Sequence, residues 1–202
     1  MHIAPFETEH FFARYEFNTP FQLCNSDCES LSINELLELA GGSLEELGKQ
    51  RLVYSESQGD PGLREAIAST YRTVEPDQVV VLATPVEGIY LAAHALLEPG
   101  DEVVVPSPAY DALINTFEHV VGKGQVRKWT FRGGADRWEL DLDQLRGLLS
   151  DRTRLLVVNF PHNPTGFLPT PAWQEELAEI VQERQLWLFS DEMYYGCLLY
   201  TS

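Results

Sequence analysis

Between residues 78 and 192 the chain alternates between continuous apolar runs and segments with helical spacing. The runs "QVVVLAT" (78–84), "DEVVVPS" (101–107) and "TRLLVVNF" (153–160) are apolar without alternation, which is typical of strands covered by helices on both faces. The predicted order is strand 78–84, helix 88–100, strand 101–107, helix 110–121, strand 125–131, helix 140–150, strand 153–160, helix 171–185 and strand 186–192. This pattern predicts an α/β fold in three α/β/α layers around a mostly parallel sheet.

Two helices are predicted ahead of this region. Ser32 with Glu35 three residues later forms a capping-box pattern, which predicts a helix over 32–42. Asp60 followed by Pro61 predicts the start of a second helix over 60–73. The segment "GGSLEELG" (41–48) is predicted to separate an irregular, aromatic-rich arm from the alternating region.

The charge of the chain excludes some classes of partner. With 31 acidic and 14 basic residues, the formal net charge of its 202 residues is −17, so we expect neither nucleic acid nor an anionic membrane as a partner. No apolar run reaches membrane-spanning length and the start lacks a secretory pattern, which predicts a cytoplasmic protein. Cys24, Cys28 and Cys197 form no zinc-binding spacing, so we expect thiols and no metal.

The candidate chemistry lies where the predicted strands end, because open α/β sheets bind ligands outside the carboxyl ends of their strands. These exits read "ATPVEG" (83–88), "PSPAY" (106–110), "NFPHNPTG" (159–166) and "SDEMYYG" (190–196). Together they offer a helix N-terminus for an anion, an aromatic ring, an amide, a carboxylate and a phenol. That set suits a planar, phosphorylated ring that contains nitrogen.

The order of these exits, preceded by "YSESQG" (54–59), resembles the class I/II aminotransferases of fold type I over roughly residues 50–196. The resemblance implies a pyridoxal 5′-phosphate cofactor, amino-acid and 2-oxo-acid substrates, and a homodimer. It also implies that residues 1–45 are an N-terminal arm and part of a small domain, with 46–202 part of the large domain. A lyase or cyclase of the same fold, or a non-catalytic cofactor-binding domain, stays an alternative.

The resemblance assigns roles to three residues of the last two exits. It implies that Asp191 pairs with the pyridine nitrogen, while Asn163 and Tyr194 donate to the phenolate oxygen of the cofactor. In the alternative interpretations Asp191 is a helix cap or a solvated acid, Asn163 forms a self-capping turn, and the Tyr194 ring packs inside, with Tyr195 as the competing tyrosine.

The prolines and the glycine of "NFPHNPTG" restrict the backbone of that turn. Pro161 and Pro164 bracket Asn163, and Gly166 permits the backbone to reverse, so the amide is held in one direction. His162 is interpreted as either exposed or behind the residues that contact the ligand.

Further cofactor contacts are implied upstream. By resemblance, Tyr110 stacks on the ring face, Thr84, Pro85 and Val86 hold the phosphate at a helix start, and Tyr54 reaches the phosphate of a neighbouring subunit. Because Pro85 has no N–H, the phosphate contact is expected to rely on the Thr84 hydroxyl and the Val86 amide. A place in the core, or a plain helix start, is the alternative for each.

The lysine that carries the cofactor in this family is expected downstream of Tyr194. The lysines present, Lys49, Lys123 and Lys128, all lie before the Asn163 turn, so no catalytic residue is assigned. We therefore interpret the chain as an N-terminal part of a longer enzyme, whose last residues, 197–202, are in doubt as native sequence. Alone it is expected to be inactive.

Overall fold

The computed structural model describes residues 3–24, 26, 29–133 and 137–197. The described residues of 1–22 and 85–202 form one compact unit, and those of 23–84 form another. The assignment of 1–45 and 46–202 to parts of two domains stays a prediction, and Cys28 lies outside the described residues.

The larger unit is built on a parallel sheet. Its strands are β1 (Glu102–Ser107), β2 (Val126–Thr130), β5 (Thr153–Asn159) and β6 (Trp187–Asp191), in the spatial order β2-β1-β5-β6. Every neighbouring pair is parallel, and the register of β5 and β6 places Asn159 opposite Asp191. A separate antiparallel pair, β3 (Arg132–Gly133) and β4 (Trp138–Glu139), follows β2 along the chain.

Helices cover both faces of this sheet. The helices of the larger unit are α1 (Glu7–Tyr15), α5 (Pro85–Leu96), α6 (Asp111–Val121), α7 (Leu142–Leu148) and α8 (Pro171–Glu183). Alternate residues of β1 and β5 face a core with α5 and α6, centred on Phe117, and a core with α7 and α8, centred on Trp129. The predicted three-layer α/β/α arrangement is therefore confirmed, because the continuous apolar strands are buried on both faces.

The smaller unit contains α2 (Ile33–Ala40), α3 (Leu44–Gly48), α4 (Pro61–Ala68) and a 3-10 turn at Pro76–Gln78. The Ser32 capping box is present, and the hydroxyl of Ser32 accepts from Glu35 N–H as predicted. Asp60 accepts from Leu63 N–H at 3.0 Å, which confirms the predicted start of α4.

The strand predicted over 78–84 is wrong. A strand requires a ladder of backbone pairs, and within the described residues this segment joins none. Val81 N–H donates to Gln58 O at 2.8 Å, which is a single contact outside any ladder. The apolar run predicted burial, but the backbone partner that a strand also needs cannot be read from the run itself.

The arm predicted as irregular contains α1. Phe6, at its N-cap, provides no side-chain cap, and Asp111 of α6 takes that role from a distance of 103 residues along the chain. Its carboxylate accepts from Thr8 N–H at 2.9 Å and from the Thr8 hydroxyl at 2.5 Å. A cap from so distant a residue leaves no local sequence signal.

A buried carboxylate lies at the start of β1, at the opposite edge of the sheet from the predicted ligand site. Glu102 is 1% exposed and accepts from Arg127 at 2.8 Å, Arg152 at 2.5 Å and Ser150 at 2.6 Å. Burial alone would raise its pKa, but these donors together lower the pKa of Glu102 from 4.5 to about 2.

Candidate cofactor site

Three parallel strands deliver the predicted site residues to one edge. Tyr110 follows β1, Asn163 follows β5, and Asp191 is the last residue of β6. Since these strands are adjacent and parallel, their carboxyl ends lie side by side. The topology of the sheet therefore brings the carboxyl ends of these three strands together.

A buried asparagine, which the sequence reasoning missed, joins two of the exits. Asn159 ends β5, and its amide Nδ2–H donates to the backbone oxygen of Asp191 at 3.1 Å. Its Oδ1 accepts from the backbone N–H of Asn163 at 3.2 Å. One side chain thus ties the end of β6 to the turn that carries Asn163. The available signal was a lone amide at the end of the apolar run "LLVVN".

Asn163 and Tyr194 are in direct contact. The amide Nδ2–H of Asn163 donates to the hydroxyl oxygen of Tyr194 at 2.9 Å. Tyr194 is half-buried, whereas Tyr195, the competing candidate, is 68% exposed. Two hydrogen-bonding side chains from different strand exits therefore meet at one point, and their roles toward a cofactor stay a prediction.

The turn around Asn163 is closed by its own backbone. Gly166 N–H donates to His162 O at 2.7 Å, and His162 N–H donates to Phe167 O at 3.0 Å. Gly166 has φ +68°, a left-handed conformation that residues with a Cβ rarely adopt, as the sequence predicted. The peptide bonds before Pro161 and Pro164 are cis.

The carboxyl group of Asp191 belongs to a half-buried residue. Burial raises its pKa and the nearby Glu192 raises it further, whereas the hydrogen bond from Met193 N–H, at 3.1 Å, and the nearby amide of Asn159 lower it. The net pKa shift is upward, because burial disfavours the charged form. A cationic hydrogen-bond donor placed against this carboxylate would offset that penalty.

Tyr110 is held from the N-terminal arm. It precedes α6, and its hydroxyl donates to Glu9 Oε1 of α1 at 2.5 Å, while its ring lies 6.4 Å from that of Phe6. Burial, followed by the Glu9 carboxylate, raises the pKa of Tyr110, so its hydroxyl stays protonated. Glu9 is a second residue that the sequence reasoning missed, and its contact spans 101 positions.

The predicted phosphate residues lie at the start of α5. Pro85 is its first residue, Thr84 directly precedes it, and Val86 packs against the core of the α5 and α6 layer. Residues 97–101 join the end of α5 to the start of β1, so we expect the N-terminus of α5 to lie toward the carboxyl edge of the sheet. Tyr54 belongs to the smaller unit and is fully exposed.

His162 is buried, with 3% of its surface exposed. Of its two predicted places, the exposed one is therefore wrong. Its ring nitrogens contact the Thr165 hydroxyl at 2.8 Å and the backbone oxygen of Pro108 at 3.1 Å.

The three lysines lie away from these exits along the chain. Lys49 pairs with Glu45 at 2.8 Å in the smaller unit, Lys123 lies between α6 and β2, and Lys128 is exposed on β2. Across the described ranges, no group of three His, Cys, Asp or Glu residues has metal-binding geometry. No helix in that part of the chain is both long and apolar enough to span a membrane.

The sequence model of the family "Aminotransferase class I and II" matches residues 21–200. This chain belongs to that family. Membership implies pyridoxal 5′-phosphate as the cofactor, which confirms the cofactor prediction. The mostly parallel α/β fold predicted from the sequence is the fold of this aminotransferase family.

The aminotransferase chain is similar to known proteins over most of its length. It is 33% identical to arginine–pyruvate transaminase AruH of Pseudomonas aeruginosa over 186 residues, which cover 89% of this chain and 42% of that protein. A PLP-dependent aminotransferase from Streptococcus suis matches with a TM-score of 0.86 and 27% identity, over 95% of this chain and 52% of that one. The PLP-dependent cyclase OrfR matches with a TM-score of 0.81 and 30% identity, over 94% and 49%. The chain thus spans about half the length of the relatives it matches.

Proposed function

We propose that this chain supplies cofactor-binding residues to a pyridoxal-phosphate-dependent aminotransferase, which moves the amino group of an amino acid to a 2-oxo acid. The observation that carries the proposal is the Asn163–Tyr194 hydrogen bond, formed by the exits of β5 and β6 and joined through Asn159 to Asp191. The family membership gives the class of reaction its support.

The chemistry of these residues fits pyridoxal phosphate. The cofactor offers a pyridine nitrogen that can be protonated, a phenolate oxygen and a phosphate dianion. The chain offers a carboxyl whose pKa is raised by burial, two convergent donors, and a helix N-terminus whose backbone dipole favours anions. Each part of the cofactor therefore has a partner of complementary charge.

Asp191 is proposed to hold a proton at the ring nitrogen. When bound, the protonated ring supplies an electron-withdrawing group that stabilises negative charge at the α-carbon of the substrate. The carboxylate of Asp191 keeps that proton in place, and the paired positive charge offsets the penalty that burial imposes on the carboxylate. Asn159 orients the end of β6 through its contact with the backbone of Asp191.

The other residues are proposed to orient the ring. Asn163 and Tyr194 donate to the phenolate oxygen, and Tyr110, anchored by Glu9, lies against the ring face. The Val86 N–H at the start of α5 and the Thr84 hydroxyl bind the phosphate, because Pro85 has no N–H to offer.

A homodimer belongs to the same proposal. Tyr54 is proposed to reach the phosphate of the neighbouring subunit, and its side chain is fully exposed within this chain. Two-fold homo-oligomers are the commonest assemblies of soluble proteins. Sedimentation of the full-length protein tests this: an active monomer would rule out the shared phosphate contact.

A cyclase is the second candidate function, because the similarity to OrfR is as extensive as that to the aminotransferases. Both functions require the same binding of the ring and differ in where the substrate nitrogen goes. A non-catalytic cofactor-binding domain is the third candidate, and it predicts binding without turnover.

The test uses the full-length protein, pyridoxal phosphate, a set of amino acids labelled with ¹⁵N, and several 2-oxo acids. Appearance of the label in a new amino acid supports transamination, whereas retention of the label in a ring-closed product supports a cyclase. Asp191→Asn is expected to weaken cofactor binding and lower turnover by orders of magnitude, since it removes a preorganised charge. The matched control is Asp151→Asn, which makes the same substitution at an exposed residue between α7 and β5. Equal turnover in the two variants contradicts the proposal.

A further inference from the structure

The loops that follow β1 and β5 are joined by one buried histidine. His162 directly precedes Asn163, and its Nε2 lies 3.1 Å from the backbone oxygen of Pro108, two residues before Tyr110. The ring packs 4.3 Å from that of Phe131. It therefore fills the space between the loop that carries Tyr110 and the turn that carries Asn163.

The partners of His162 fix its tautomer. A carbonyl oxygen can only accept, so Nε2 carries the hydrogen and donates to Pro108. The Thr165 oxygen accepts from Phe167 N–H at 3.2 Å, which leaves the Thr165 hydroxyl hydrogen to donate to Nδ1 at 2.8 Å. Both ring nitrogens are thus satisfied in the neutral form.

The surroundings also keep His162 neutral. Burial lowers the pKa of His162 from 6.5 to about 4, and the hydrogen bond to Pro108 opposes that shift only in part. The ring consequently keeps one hydrogen-bond pattern at neutral pH, as a permanent link between the two loops requires.

We propose that His162 is a positioning residue that sets the separation between the Tyr110 ring and the Asn163 amide through its hydrogen bonds to Pro108 and Thr165. The inference rests on the proposed function, because it assigns these two side chains to the cofactor. His162 itself does not contact the ring of the cofactor. It acts through the loops it joins.

The experiment measures pyridoxal-phosphate affinity of the full-length protein by equilibrium titration, with folding checked by circular dichroism. His162→Leu fills the same space with an apolar side chain but loses both hydrogen bonds. The affinity for pyridoxal phosphate is therefore expected to fall about tenfold, the equivalent of one to two net hydrogen bonds. His162→Gln places an amide N–H near the position of Nε2 and is expected to restore most of that affinity. His94→Leu, at an exposed histidine of α5, is the control and is expected to bind as the unsubstituted protein does.

The outcomes separate the two proposals. Failure of the unsubstituted protein to bind pyridoxal phosphate overturns the proposed function and this inference together. Normal cofactor affinity in folded His162→Leu overturns the inference alone. If His162→Leu does not fold, Thr165→Val and Thr165→Ser provide the test. Thr165→Val, which lacks the hydroxyl, should lose affinity for pyridoxal phosphate, and Thr165→Ser, which keeps it, should retain affinity. Equal affinities in these two variants overturn the inference. The ¹⁵N shifts of the His162 ring give an independent readout, and a protonated or Nδ1–H ring at pH 7 contradicts the assignment.

Discussion

The contribution of Asn159 can be predicted from its contacts. Asn159→Ala removes a donor to the Asp191 backbone oxygen and an acceptor for Asn163 N–H, both from a side chain in a residue only 7% exposed. Asp191 O keeps its bond from Phe160 N–H at 3.2 Å, so that oxygen does not become wholly unsatisfied. The substitution therefore removes two hydrogen bonds but leaves the Asp191 backbone oxygen with a donor.

The expected magnitude follows from those two bonds. A typical intramolecular hydrogen bond contributes about 0.5–1.5 kcal/mol net, so Asn159→Ala should lower the free energy of unfolding by about 1–3 kcal/mol. Asn159→Asp should be at least as harmful, because it sets a carboxylate oxygen against the Asp191 carbonyl. Both variants should also weaken pyridoxal-phosphate binding, since they loosen the join between the β5 and β6 exits.

Urea unfolding of the full-length protein, followed by circular dichroism, measures this loss. The matched control is Asn18→Ala, because Asn18 also donates to a backbone oxygen, that of Arg14 at 3.0 Å, but from an exposed position. Exposed substitutions of this kind usually change stability by less than about 0.5 kcal/mol. Equal losses of stability in the two alanine variants, or unchanged cofactor affinity in Asn159→Ala, would contradict this prediction.

Two further predictions concern pH. Because the pKa of Glu102 is lowered, its stabilising contribution is present above pH 4.5 and is lost as the pH falls toward about 2. A pKa shift of this size corresponds to about 3 kcal/mol. Glu102→Gln should therefore unfold at lower urea concentration at pH 7, and its stability should fall less steeply as the pH is lowered. Parallel profiles for the two proteins contradict this. The raised pKa of Asp191 has the opposite sign: its contribution is present at low pH and lost as the pH rises through the folded pKa. Without cofactor, Asp191→Asn should therefore raise the melting temperature at pH 7 but not at pH 3, and an equal rise in the control Asp151→Asn would contradict this prediction.

The layers of the fold were predictable because a strand buried on both faces has apolar residues at consecutive positions. The runs at 101–107 and 153–160 are apolar at every position that the two cores require, and they form β1 and β5. The run at 78–84 is also continuously apolar but forms no strand. Pairing depends on a partner elsewhere in the chain, which hydrophobicity does not report.

The site was predictable where the residue and its backbone restraint are neighbours in sequence. Asn163 lies in a turn whose prolines and Gly166 are visible locally. The resemblance assigned Asn163 and Tyr194 to one cofactor atom, and their direct hydrogen bond is an observation of the structure. The supports of the site were missed because they act across the chain. Glu9 reaches Tyr110 over 101 positions, and Asn159 contacts the backbone of a residue 32 positions away.

A crystal structure of the full-length protein with pyridoxal phosphate would test the proposed cofactor site most directly. We expect the pyridine nitrogen within hydrogen-bond distance of the Asp191 carboxylate, the phenolate oxygen between Asn163 and Tyr194, and the phosphate at the start of α5. A cofactor bound at another edge of the sheet, or one whose ring nitrogen has no contact with Asp191, would contradict it.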